Sequence, residues 1–269
     1  MFILLSIMIS TSILALLYLY GQNKQNSFQE KYELVSDLRE LINYCRQHRS
    51  ASHMALLFDT ADNEQISALE SKISILTQQI VDKASFDNKA TYRILQTRMN
   101  HIESEWRSMT IGKNQMVHGK AIRHSLFLID EIMLMWLLDQ EKQNLDDVYN
   151  ENWQLTIDSL ELLTSFRVII QNIDNENGQA RIRAQAATLN RKLNQLSVHS
   201  PVVYGSPFCI RAREQLMQLM NDEEFNYSQV QLYKISSDVS LVIFYAYDQV
   251  LEKVAETIYQ PFPKLAKTI

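Results

Sequence analysis

Apolar residues recur every third or fourth position along most of this chain, and little interrupts them. Its 269 residues include only 5 glycines and 4 prolines, and all four prolines lie after residue 200. So few turn formers among so many leucines, glutamines, glutamates and methionines predict long helices. The fold class expected is all-α: an N-terminal transmembrane helix followed by a bundle of long up-down helices. The formal net charge of −5 implies no general nucleic-acid surface. Cys45 and Cys209 stand far apart with no CxxC pair, so neither a zinc site nor a redox pair is expected.

Residues 1–20 carry no charge, and roughly 20 apolar residues suffice to span a bilayer. No basic stretch or small-residue cleavage signature suggests a removable leader. Tyr18 and Tyr20 suit a membrane interface. Residues 1–21 are therefore read as a single-pass anchor and 22–27 as a polar linker. Lys24, Lys31 and Arg39 follow the segment, which leans the rest of the chain towards the cytoplasm.

Residues 28–259 read as the bundle and 260–269 as a tail. Helices are expected over 28–58, 64–84, 87–108, 114–142, 148–196, 208–221 and 227–259. The fifth is the longest, bent near Gly178. Turns are expected at 59–64, at Ile111–Gly112 and over 197–207. Glycine-rich phosphate loops, nucleophile elbows, zinc-protease helices and calcium loops are all missing from the sequence. An enzyme is not expected, and no cofactor or metal is implied.

Two helices carry charge where apolar residues belong. In the first, Leu34, Leu38, Leu41, Cys45, Ser52 and Leu56 form one stripe, and His48 and Arg49 fill its gap. In the fifth, Leu163, Phe166, Ile170, Ile173, Asn177, Arg181, Ala184 and Thr188 keep helical spacing, which puts Arg181 on the same face as Phe166. A buried cation is costly unless an anion meets it. Arg49 and Arg181 facing each other would make a positive pocket with apolar walls. Guanidinium forks match planar oxyanions. Structural pairing with buried carboxylates is the alternative. Arg46 and His53 lie at the edge of the first stripe and could complete a wall. His118 falls on the fourth helix's stripe, as a core histidine. Arg123 and Arg167 flank the stripes of the fourth and fifth helices as further candidates.

At these residues a family resemblance emerges. The run Leu41–Leu57 (LINYCRQHRSASHMALL) resembles the first signature of the nitrate- and nitrite-sensing (NIT) domain. Arg49 and Ser52 match its arginine and serine, while His48 stands in place of a glutamate and Ser50 in place of a glycine. Glu176–Ala184 (ENGQARIRA) is similar to the second signature through Gly178 and Arg181. The resemblance spans about residues 28–255 and implies an all-helical bundle that binds nitrate or nitrite through arginines. Together with the stripe positions it gives Arg49, Arg181, Arg46, His48, Ser52, His53, Arg123 and Arg167 as the candidate ligand-binding set. It also implies an unidentified signalling partner, because this chain carries no recognisable output module. By analogy with other single-anchor sensors, a homodimer is expected. The competing expectation is an anchored helical adaptor that binds no small ligand.

Overall fold

In the computed structural model the described residues are 2–58, 63–85, 87–140, 143–174, 176–222 and 224–265. They form nine α-helices: α1 (Phe2–Phe58), α2 (Asn63–Lys83), α3 (Lys89–Glu105), α4 (Ile111–Asp139), α5 (Gln143–Ile169), α6 (Glu176–His199), α7 (Pro201–Tyr204), α8 (Pro207–Asn221) and α9 (Gln229–Ile258). Short 3-10 turns follow α3 at Trp106–Ser108 and α5 at Ile170–Asn172. No strand occurs among the described residues, so the all-helical bundle expected from the periodicity is what forms.

The helices sort into two groups that share an edge. α1 packs on α4 and α2, and α3 closes that group against α2 and α4. α5 packs on α6 and α9, with α8 lying on α6 and α9. The α4–α5 contact joins the two. A continuous apolar core runs through both, with Trp136, Tyr149 and Phe166 fully buried. Local chemistry sets the starts of two long helices. Thr110 Oγ1 accepts from the Lys113 backbone N–H at 3.3 Å to cap α4. Ser228 and Gln231 form a reciprocal capping box at the start of α9.

Several boundaries differ from expectation. Residues 22–27, read as a linker, are helical and join the N-terminal segment to the bundle within α1. Ile111 and Gly112, read as a break, open α4 instead, because the cap at Thr110 lies just before them. The turn expected over 197–207 is partly helical, through the end of α6 and the short α7. Residues 59–62 of the expected 59–64 turn and residues 266–269 of the tail lie outside the described residues.

The fifth expected helix is two. The 3-10 turn at Ile170–Asn172 shifts the helical phase before α6 begins. The buried stripe of α6 is Ile182, Ala186, Leu189, Leu193 and Leu196. Asn177 and Arg181, placed on the buried face by an unbroken 3.6-residue count, are exposed.

Among the described residues no helix is long and apolar enough to cross a membrane. The side chains of residues 1–5 and 7, within the expected anchor, lie outside the described ones. From residue 8 to residue 20, α1 projects with its large apolar side chains exposed all round, including Leu14, Leu17 and Tyr20. At the other end of the chain, residues 260–265 return to α1. Phe262 stacks on Tyr32 with centroids 5.0 Å apart, and Tyr32 Oη donates to the Pro261 carbonyl at 2.9 Å.

Candidate anion-binding site

Beyond residue 34, α1 has two buried faces. One carries Leu34, Leu38, Leu41, Cys45, His48 and Ser52 towards α2 and α4. The other carries Arg39, Arg46, Arg49 and His53 towards α9. The backbones of α1 and α9 are not closely packed, and long side chains from α1 cross the gap instead.

The crossings follow the turns of α9. Arg39 Nε donates to Asp248 Oδ1 at 2.7 Å, and its guanidinium lies 4.6 Å from the Phe262 ring centre. Arg46 rests over the Phe244 ring at 4.4 Å. Arg49 Nη2 reaches Ser240 Oγ at 3.5 Å, the limit of a hydrogen bond. From α5, Arg167 Nε donates to Ser236 Oγ and Nη2 to the Ser236 carbonyl, both at 3.0 Å. Residues 236, 240, 244 and 248 are spaced four apart, so each arginine meets a successive turn of α9. Only the last rung, Asp248, is an acid.

Arg46, Arg49 and Arg167 all line one cavity of about 450 Å³. Among the described residues, none of the three forms an ion pair. Asp238, also on the wall, faces Arg211 at 3.7 Å. Burial lowers the Arg46 guanidinium to about 9, Arg49 adding to the effect and Asp248 opposing it. Burial likewise lowers Arg49 to about 10. Arg167 falls well below the usual arginine value through burial and then the repulsion of Arg49 and Arg46. Guanidiniums keep their proton near neutral pH. The lowered values therefore express desolvated positive charge, which Asp248 offsets only in part at Arg46.

Residues of the same wall also carry buried polar atoms that have no partner among the described residues. His53 is 4 % exposed, its ring centre lies 3.8 Å from that of Tyr233, and neither ring nitrogen has a partner. Burial, then Arg167 and Arg49, lower its pKa to about 4, so the ring is neutral at pH 7. Arg46 Nε and Gln115 Oε1 are also buried and unpartnered. Such groups normally find partners in a folded interior. A second cavity of about 370 Å³ adjoins the first, and Asn43, Arg46 and Leu241 line both.

Four of the eight sequence candidates meet here: Arg46, Arg49, His53 and Arg167. The other four do not line this cavity. Arg181 is exposed on α6, for the reason of phase given above. Arg123 donates to Thr164 Oγ1 at 3.2 Å, between α4 and α5. Ser52 accepts from Asn114 Nδ2 at 3.0 Å and ties α1 to α4.

His48 faces away from the cavity, into a hydrogen-bonded cluster. Its Nδ1 lies 2.8 Å from His118 Nε2, and His118 Nδ1 lies 2.8 Å from the Asn114 carbonyl. A carbonyl only accepts, so His118 Nδ1 carries the proton. Its Nε2 then accepts from His48 Nδ1–H when both rings are neutral. That leaves the bare Nε2 of His48 3.6 Å from Glu70 Oε1, and burial lowers the His48 pKa while Glu70 opposes the shift. Glu70 also accepts from Trp106 Nε1 at 2.8 Å. These contacts give His48 and the core histidine His118 a structural role.

The sequence reading missed the α9 wall: Tyr233, Ser236, Ser240 and Asp248. The available signal was a pair of serines four apart, 236 and 240, amid residues as apolar as Val239, Val242 and Ile243. No family model, curated protein or solved structure matches this chain.

Proposed function

We propose that this chain is a membrane-anchored helical sensor that binds a small oxyanion between α1 and α9 and passes the change to a partner protein along α1. The observation that carries the reading is a cavity lined by the buried Arg49 and Arg167 and the half-buried Arg46, none of which forms an ion pair among the described residues. Desolvated charges of this kind cost several kcal/mol each, and a bound anion would recover much of that cost. The adaptor alternative needs each arginine neutralised by a carboxylate inside the bundle. Among the described residues, Arg39 is the one α9-facing arginine of the four with an ion pair, to Asp248.

The anchor belongs to the same proposal. It is supported by the uncharged sequence of residues 1–20 and by the all-round exposure of apolar side chains over residues 8–20. The NIT resemblance at Arg49 and Ser52 points to nitrate or nitrite as first ligands to try. Ligand binding would bias the distance between two helices that few backbone contacts hold together.

Thermal unfolding of the full chain in detergent, with a panel of anions at millimolar concentration, tests the reading. A bound anion should stabilise the protein by about 2.7 kcal/mol at a hundredfold excess over Kd. Arg49→Ala and Arg167→Ala should each abolish that gain. No stabilisation by any nitrogen, carbon or phosphorus oxyanion would sink the proposal.

A further inference from the structure

The arginines do not cluster around a point. Arg167 is held at Ser236, Arg49 at Ser240 and Arg46 at Phe244. At about 1.5 Å of rise per residue, adjacent rungs are about 6 Å apart along α9 and the outer two about 12 Å apart. One compact anion such as nitrate reaches at most two neighbouring rungs. Its single negative charge leaves the rest of the ladder uncompensated. A cavity of about 450 Å³ is also far larger than such an ion needs.

We propose that the ligand is a small dicarboxylate whose two carboxylates engage different rungs of this ladder. The inference rests on the anion-sensor reading and specifies its ligand class. Two separated negative charges match separated guanidiniums, each of which can grip a carboxylate through a planar fork. The wall also carries Met54, Ile66 and Leu241, which suits a hydrocarbon spacer between the charged ends. His53 and Gln115 also line the wall, and each carries a buried polar atom with no partner among the described residues. Asp238 Oδ2 on the same wall lies 3.7 Å from Arg211 without a hydrogen bond, and Asp248 is occupied by Arg39, so the rungs at Ser236, Ser240 and Phe244 are the cationic ones.

Isothermal titration of the full chain in detergent, in a chloride buffer, decides the matter. The probes are acetate, nitrate, pyrophosphate, succinate, glutarate and adipate, the last three lengthening by one methylene at a time. One dicarboxylate should bind at least about tenfold tighter than acetate and nitrate, with affinity passing through an optimum in length. Arg46→Gln and Arg167→Gln, which remove the outer rungs, should narrow that preference and shift the optimum. Folding of each variant is checked by its far-ultraviolet dichroism, and the ratio measured on the unaltered chain stands without them. Nitrate or acetate matching the best dicarboxylate would overturn the inference and leave the anion-sensor reading intact. Pyrophosphate exceeding every dicarboxylate would overturn the hydrocarbon spacer, and with it the ligand class. Silence from all six anions would remove both readings together.

Discussion

His53 reports the electrostatics of the cavity through its own proton. Its pKa falls to about 4 in the folded chain, against an ordinary value near 6.5 when unfolded. Between those limits the unfolded state binds a proton that the folded state refuses. Stability is therefore complete above about pH 6.5 and declines as pH falls towards 4. The unfolding midpoint of the anion-free protein should drop between pH 7 and pH 5. Burial lowers His48 and His118 as well, so the drop has more than one source. His53→Phe should flatten part of it in a calorimetric pH series. A slope identical to that of the unaltered chain would show that His53 does not sense this field. At the residue scale a charge that interrupts a regular stripe was informative where the helix is unbroken, as in α1. Arg49 was found that way, and Arg46 and His53 followed from their angular position. Arg181 was misplaced because counting residues at 3.6 per turn assumes an unbroken helix. Ser236 and Ser240 were missed because a serine carries no charge to betray it.

Helix existence was legible because periodicity accumulates over many residues. Helix ends were less so, since they depend on a few local bonds. Thr110 capping α4 shows this: one side-chain oxygen turns an apparent Ile111–Gly112 break into a first turn. The 3-10 turn after α5 is similarly local, yet it redirects every side chain of α6. Pairing between elements was not legible at all. Glu70 on α2 accepts from Trp106 beyond α3 and faces His48 on α1, and nothing in the spacing of those residues announces the contact. Glu70→Ala would leave the Trp106 indole N–H buried without an acceptor. It should cost about 1–3 kcal/mol, read as a lower denaturation midpoint with an unchanged slope. An unaltered midpoint would mean that this junction does not hold the first helix group together.

For the molecule as a whole, the cavity sets stability against function. Replacing even a buried ion pair by well-packed apolar residues is often neutral or stabilising by about 1–4 kcal/mol, and an unpaired ion has no ionic attraction to lose. Arg49→Met should therefore raise the anion-free unfolding midpoint while erasing stabilisation by added anion. A fall in midpoint without anion would indicate that Arg49 is already neutralised in the resting protein.

α1 runs as one helix from Phe2 to Phe58, and the absence of a joint at residues 22–27 has a mechanical consequence. Arg39 is clamped by Asp248, by the Phe262 ring and by the Pro263 carbonyl, contacts that would serve as a fulcrum were α1 to tilt on ligand binding. Arg49 lies about 15 Å along the axis on one side, and Tyr20 about 28 Å along it on the other. A straight rod turning on that fulcrum moves its far end roughly twice as far as its near end, and in the opposite direction. Under the proposed function, an inward pull of about 1 Å at Arg49 would then give an outward swing of about 2 Å at Tyr20, the behaviour of a lever with unequal arms.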